Sequence, residues 1–404
     1  MFSKLYNNLI LQIKANKHDF LRFDLIKQDA IKYLAAQLTA KYDTVIIIGF
    51  GASCLNVRAL LSMKAVATKR LIYLDNLDQL AIDKKLSVVN LDKTVFFSLS
   101  RSGNTNETYL LTKYVLEVLR VSPRNVYVIV PFNNSLLYNL ARSFGANCLE
   151  HDNVSSGRFG VISNASLLPA AIVGIDIDKV VAAASQKISD IILDGSDRLS
   201  AKVAYAEGFE GDSERRTAAY YRVREDSSTE STYKSPAEVE FCRKSNICEI
   251  AEHYLNQYSL NRHMLVMFNY SYQLDGLCRW QQQIIAESLG KNGFGITPII
   301  ARGTFDQHSQ LQLYLEGPDD KFYKVITNNK DNSDMAMSLA AHANNIYNAL
   351  VQVKRPVMLE NFVHIDEYVI VDQIIHTMLS TMLMANHLKI DPFNQPSVDQ
   401  YKKI

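Results

Sequence analysis

Apolar and polar positions follow two rhythms along this chain. Up to about residue 42, apolar residues recur at helical spacing, as in Leu21, Phe23, Leu25 and Ile26 and again in Ile31, Leu34 and Leu38. That spacing predicts helices that pack on a sheet. From Thr44 the rhythm changes. Thr44–Gly49 (TVIIIG) is a β-branched run ending in glycine, the signature of a buried parallel strand. Arg70–Asp75, Thr94–Ser100 and Asn125–Val130 read the same way, and helical periodicity returns over Cys54–Ser62, Tyr109–Leu119, Ser135–Phe144 and Ala165–Ile175. Strands alternating with helices predict a doubly wound parallel sheet, with ligands beyond the strand C-termini.

The alternation repeats after a break. Strands are expected at Met264–Phe268, Ile296–Ala301, Phe322–Ile326 and Pro356–Leu359. Helices are expected at Leu274–Leu289, Gln307–Leu315, Asn344–Val353 and Asp366–Leu388. Between the blocks, residues 205–246 mix charges of both signs with Ser/Thr clusters and little apolar periodicity, which reads as an inter-domain segment. The expected organisation is therefore N-terminal helices over 1–42, an α/β domain over 43–204, the segment 205–246, a second α/β domain over 247–390, and an arm over 391–404.

Composition narrows the function classes. The chain has 404 residues and is 48% hydrophobic, enough for two or three cores. Lys plus Arg number 43 against 42 Asp plus Glu, so no bulk field favours nucleic acid or a membrane surface, and an anion would be held in a local pocket. The five cysteines (Cys54, Cys148, Cys242, Cys248, Cys278) form no CxxC pair, which points away from a disulfide framework or zinc site and towards the cytoplasm. No signal peptide is legible at the N-terminus, and the longest apolar runs fall well short of a membrane span.

Three stretches carry candidate chemistry. Gly49-Phe50-Gly51-Ala52-Ser53 turns a strand into a helix and lets an anion approach the backbone, although Ser53 and the following residues break a dinucleotide fingerprint. Ser100-Arg101-Ser102-Gly103-Asn104-Thr105 is more specific. Ser100, Ser102 and Thr105 place three hydroxyls in one turn, Gly103 lets it curl, and the following helix adds unpaired N–H groups, which together suit a phosphate monoester. Ordinary helix capping is the plainer reading of those hydroxyls. Gly157-Arg158-Phe159-Gly160 puts an arginine among small residues before a helix, positioned for a cleft or for the surface. Finally, Glu287 ends an apolar helix with Gln283 four residues earlier on the same face, and His308 follows in Asp306-Gln307-His308. A Glu and a His are a natural general base and general acid, and helix surface and turn are their plainer readings.

Assembled, these stretches resemble the glucose-6-phosphate isomerase family, built from two sugar-isomerase (SIS) domains. The likeness is strongest over residues 281–321 (QQQIIAESLGKNGFGITPIIARGTFDQHSQLQLYLEGPDDK), which looks like the bacterial form. GFGAS at 49–53, SLSRSGNTNET, SGRF at 156–159 and PFNQPSVDQYKK at 392–403 are similar to its other motifs, in family order. The resemblance implies two flavodoxin-like SIS domains, over 43–204 and 247–390, and a C-terminal helical arm. It implies interconversion of glucose 6-phosphate and fructose 6-phosphate through ring opening and a cis-enediol, without cofactor or metal.

By position, the resemblance makes Glu287 the base, His308 and Lys402 the ring-opening residues, and Arg158 the cation for the enediolate. Ser53, Ser100, Arg101, Ser102, Thr105, Gly157, Gln283 and Gln395 fall at substrate or phosphate contacts. It also implies a homodimer in which His308 serves the partner subunit's site. The partner is thus a small sugar phosphate, with no nucleic acid or membrane. Departures from the family pattern are Ala52 for a glycine, Arg101 for a lysine, Phe159 and Gly160 for two hydroxyl residues, and Ser397 for a glycine, where a positive φ would make serine costly. They leave open a broader specificity that includes mannose 6-phosphate, or a non-catalytic sugar-phosphate sensor.

Overall fold

Five short parallel strands make the first sheet of the computed structural model, which describes residues 2–205, 247–328 and 333–401. They are β1 (Thr44–Ile48), β2 (Arg70–Leu74), β3 (Thr94–Leu99), β4 (Val126–Val130) and β5 (Asn147–Glu150), in the order β2-β1-β3-β4-β5. Every residue of β1 is buried. Its side chains alternate between two cores: Val45 and Ile47 face the centre of the molecule, whereas Ile46 and Ile48 face an outer core with Phe96, Val128 and Leu137. A strand covered on both faces needs a continuous apolar run, which is why TVIII reads as it does. The chain leaves β1 towards β2 on one side, while β3 lies on the other. The crevice above their C-terminal ends is where such sheets bind ligands.

The second sheet repeats the plan. β6 (Met264–Asn269), β7 (Thr297–Arg302), β8 (Lys321–Asn328) and β9 (Val357–Phe362) are parallel in the order β7-β6-β8-β9. The expected α/β class with doubly wound parallel sheets is what the chain forms. One apolar core runs without a break from Val45 and Ile47 of the first half to Leu265, Trp280 and Leu383 of the second.

Two helices meet in that core and position the site. The helix Ala52–Leu61 leaves the first glycine turn, and the helix Asp275–Leu289 carries Glu287. They approach so closely that a Cβ added at Gly276 would lie 2.2 Å from the Arg58 carbonyl oxygen. Ser62 fastens the crossing: its hydroxyl accepts the Leu277 N–H at 3.1 Å, and its carbonyl accepts Gln273 Nε2 at 2.9 Å. Gly276→Ala therefore forces the helices apart. We expect a loss of about 1–3 kcal/mol in a urea melt, as for other overpacked contacts, and a fall in activity, because Glu287 moves with its helix. Unchanged stability would mean the two helices slide without cost.

Several sequence expectations need correction. Residues 19–25 form two short 3-10 turns, Asp19–Leu21 and Phe23–Leu25, instead of a helix, and Arg22 Nε pairs locally with Asp24 at 2.8 Å. The helix expected over 307–315 divides into a turn at Asp306–His308 and a helix at Leu311–Glu316. Asp306 explains the split: its carboxylate accepts the Arg302 N–H at 2.6 Å, the Ser309 hydroxyl at 3.1 Å and Gln310 Nε2 at 3.0 Å, and so competes with helical pairing. Short β5, the long helix Ile177–Tyr205 and the helix Ile247–Ser259 were not expected at all.

The expectation that no run reaches a membrane span also fails. Glu367–Leu388 is long and apolar enough by composition, with 72% of its most apolar stretch buried inside the fold. It is a core helix packed against Ile177–Tyr205 and Ile247–Ser259. Among its polar groups, Asp372 pairs with Lys187 at 2.5 Å and with His376 at 3.5 Å. The segment 205–246 falls almost wholly outside the described residues.

Candidate active site

Gly51 starts the site. Its φ of 55° and ψ of −126° belong to a region open to glycine, and this lets the chain turn sharply from β1 into the following helix. A Cβ there would stand 3.1 Å from Gln283 Nε2, so the turn lies directly under the Glu287 helix. Ser53 is half-buried in the first turn of its helix, and Asn56 Nδ2 one turn on donates to the Gly157 carbonyl at 2.9 Å.

The loop after β3 is internally braced. Ser100 Oγ accepts the Gly103 N–H at 3.0 Å and pairs with Thr105 Oγ1 at 3.1 Å, and Ser102 Oγ accepts the Asn104 N–H at 3.2 Å. Gly103 has φ 68°, and a Cβ on it would overlap Ser135 Oγ at 2.2 Å. The loop is thus clamped between the N-termini of the helices Asn106–Lys113 and Leu136–Phe144, with Leu137 N–H donating to Gly103 O at 3.0 Å. Hydroxyls and helix N–H groups held this way are suited to an anion. Arg101 Nη1 reaches the Val154 and Ser155 carbonyls at 3.4 and 3.5 Å, linking this loop to the next stretch.

That stretch is the turn Gly157–Phe159, and Arg158 is its hub. The guanidinium is 3% exposed. Nε donates to Ser288 Oγ at 2.8 Å, and Nη1 donates to Glu287 Oε2 at 3.3 Å and Gln395 Oε1 at 3.4 Å. Nη2 donates to the carbonyls of Pro392 and, at 3.1 Å, Asn394. Burial weakens the guanidinium's hold on its proton, and the Glu287 carboxylate opposes that effect. Gln283 Nε2 donates to the other Glu287 oxygen at 3.2 Å. The carboxylate is therefore oriented from two sides while remaining a third exposed.

Four of the departures from the resembled pattern, at Phe159, Gly160, Ser397 and Ala52, can be placed in the structure. Phe159 is fully buried against Phe20 and Phe393, with ring centroids 4.9 and 5.0 Å away, so the ring that displaces a hydroxyl anchors the arm. A side chain on Gly160 would press on Val154 Cγ2 at 3.1 Å. Ser397 lies in the helix Pro396–Tyr401 and is not among the positive-φ residues, so serine costs nothing there. The Ala52 methyl lies 3.4 Å from the place a Gly157 Cβ would take, an ordinary contact.

Ser53, Ser100, Arg101, Ser102, Thr105, Gly157, Arg158, Gln283, Glu287 and Gln395 thus belong to five stretches that these contacts link into one cluster. His308 stands elsewhere. It is exposed beyond the end of β7, and its ring meets Gln307 Nε2 at 3.5 Å; Gln307 in turn reaches His342 Nδ1 at 3.2 Å and Tyr270 OH at 2.8 Å. None of its side-chain bonds among the described residues reaches Glu287. Lys402 lies outside the described residues. Lys291 was missed: it stands four residues past Glu287, and its ammonium donates to the Asp391 carbonyl. A lysine just past the glycine that ends the Glu287 helix was the available signal.

No family model matches the chain. Curated relatives do. The chain is 26% identical to a probable glucose-6-phosphate isomerase of Methanococcus maripaludis over 98% of its own length and 85% of the relative's. It is 25% identical to the glucose-6-phosphate isomerase of Methanocaldococcus jannaschii over 100% and 92%. A 30% match to that of Rubrobacter xylanophilus spans 64% of this chain and 50% of the relative. Among solved structures, a hypothetical protein of Thermus thermophilus superposes with a TM-score of 0.73 at 21% identity, covering 99% of this chain and 92% of that one. A glucose-6-phosphate isomerase of Chlamydia trachomatis superposes at 0.69 and 15% identity, covering 93% and 71%. These structures share the fold.

Proposed function

We propose that this chain is a phosphosugar isomerase that interconverts glucose 6-phosphate and fructose 6-phosphate through ring opening and a cis-enediol. The observation that carries the reading is the cluster itself: a carboxylate oriented by Gln283 and Arg158, linked through the Gly157–Phe159 turn to a braced hydroxyl loop at a helix N-terminus. The curated relatives of that name, aligned along nearly the whole chain, support it.

The chemistry follows from the groups present. The 6-phosphate docks on Ser100, Ser102 and Thr105, with Ser53 and Arg101 beside them. Gln283, Gln395 and Gly157 line the sugar. Glu287 takes the C2 proton of the open-chain aldose, the electron pair forms the C1=C2 bond, and negative charge gathers on the C1 oxygen. The protonated carboxyl then returns the proton to C1 while the C2 oxygen becomes the carbonyl and its hydroxyl proton ends on O1. A base near carbon and fixed positive charge nearby are what this step needs. Arg158 supplies that charge beside Glu287.

Ring opening falls to His308 and Lys402. His308 serves the site of a second subunit, in a two-fold dimer of chains that each contain two sugar-isomerase domains, over 43–204 and 247–390. The exposed position of His308, away from the Glu287 cleft of its own chain, supports that arrangement. Phe159 and Gly160 face the arm and Val154, so they give the broader-specificity alternative no support.

A coupled isomerase assay tests this. Glu287→Gln and His308→Ala are each expected to be nearly inactive as homodimers. Unfolded together and refolded, they should recover about a quarter of wild-type activity, because half of random dimers are mixed and each mixed dimer has one intact site. No recovery from folded mixed dimers would place His308 in its own chain's site.

A further inference from the structure

The charge nearest Glu287 has no hydrogen bond left to give. A guanidinium has five N–H donors. In Arg158 the five acceptors are Ser288 Oγ, Glu287 Oε2, Gln395 Oε1 and the carbonyls of Pro392 and Asn394. With the side chain buried, every N–H is committed to orienting the base or holding the arm. An enediolate oxygen gains most from a donor pointed at it, so a second cation has to supply one.

We propose that the ammonium of Lys291 is the hydrogen-bonding cation for the enediolate, beside the fixed charge of Arg158, whose own N–H donors hold Glu287 and the arm. This rests on the isomerase reading above. Lys291 follows the helix that carries Glu287, where the helix ends at Leu289 and the chain turns back through paired Lys291 and Phe294 main-chain bonds of 3.0 and 2.9 Å. Its Nζ donates to the Asp391 carbonyl, adjacent in sequence to the Pro392 carbonyl that Arg158 grips. The two cations hold neighbouring peptide groups of one arm. An ammonium has three donors, and Asp391 takes one. Lys291 is half-buried, so a charge placed there is screened less than one on the open surface.

The groups facing Lys291 are Arg158 from the Gly157–Phe159 turn, Asp391 from the arm and Glu287 from the helix. Burial first, and the Arg158 charge second, push the Lys291 ammonium down to about 8, with Asp391 and Glu287 pulling the other way. The cation is therefore present below pH 8 and lost as pH rises through it. Wild-type kcat should decline on that alkaline limb.

The test compares wild type, Lys291→Met and Lys291→Arg across pH 6 to 10, with thermal melts to show folding. Lys291→Met should lose about 100-fold in kcat at pH 7, the usual effect of one oxyanion donor, and should lose the alkaline limb near 8. Lys291→Arg should recover part of the rate and carry the limb to higher pH. A purely structural lysine would move neither limb. Binding of arabinonate 5-phosphate, whose carboxylate mimics the enediolate, is measured beside its neutral analogue arabitol 5-phosphate. Wild type should prefer the aldonate, and Lys291→Met should not. If wild type is active and Lys291→Met matches it with the limb intact, the Lys291 assignment is overturned and the isomerase reading stands. If wild type itself does not turn over, that reading fails, and equal aldonate affinity in both proteins then overturns the Lys291 assignment independently.

Discussion

Glu287→Gln should reduce turnover of glucose 6-phosphate by about 10²–10⁴-fold, the range for loss of a positioned proton-transfer group, with phosphosugar binding kept within a few-fold. The carboxylate accepts from two donors, Gln283 Nε2 and Arg158 Nη1. A glutamine keeps one acceptor oxygen, which will settle on the guanidinium because charge-assisted bonds are the stronger. Its amide nitrogen then faces Gln283, whose amide has to turn over so that its otherwise unpartnered Oε1 accepts. The Ser100–Thr105 loop, proposed to hold the phosphate, is built from other elements and is braced by its own bonds, so it should be indifferent. Calorimetry on the inactive variant measures the second half of the prediction. Wild-type turnover in Glu287→Gln would remove this carboxylate as the base.

Arg158→Lys is expected to be nearly as damaging, for a different reason. Lysine keeps the charge and loses the planar five-donor fork. It cannot serve Ser288, Glu287, Gln395, Pro392 and Asn394 together. Bonds to charged groups are worth about 1.5–3 kcal/mol each, without simple additivity. The arm should loosen, although the Phe20–Phe159–Phe393 contacts keep part of its hold. Two readouts follow: kcat/KM falling by about 10²–10³-fold, and faster proteolytic cleavage in the 391–401 arm. If charge alone mattered, Arg158→Lys would retain both rate and protection.

The sequence exposed the sheets more fully than the helices around them. β1, β3, β4 and β6 are buried on both faces, so burial alone demands the β-branched and aromatic runs seen in TVIII, TVFFSL, VYVIV and MLVMFN. β5 was illegible because its four residues, NCLE, are only partly buried and carry no apolar run. Residues 19–25 misled because an apolar spacing compatible with a helix also suits two 3-10 turns that bury Phe20 and Phe23.

The candidate site could be read from the sequence only as a list of motifs, without its geometry. Nothing in SGRF shows that Arg158 grips the arm, because its acceptors include main-chain carbonyls at Pro392 and Asn394, which any sequence would supply. Phe159 looked like a lost hydroxyl, and its meaning depends on Phe20 and Phe393, which are distant in sequence. Lys291 escaped because its role depends on where Asp391 lies in space.

The central claim is tested most directly by incubating the wild-type protein with glucose 6-phosphate in D2O and following the sugar by NMR. The account predicts fructose 6-phosphate approaching equilibrium with glucose 6-phosphate, with deuterium entering at C1 of the ketose and C2 of the aldose, and neither change in Glu287→Gln. Folded protein that binds the sugar phosphate and gives neither ketose nor exchange would contradict it.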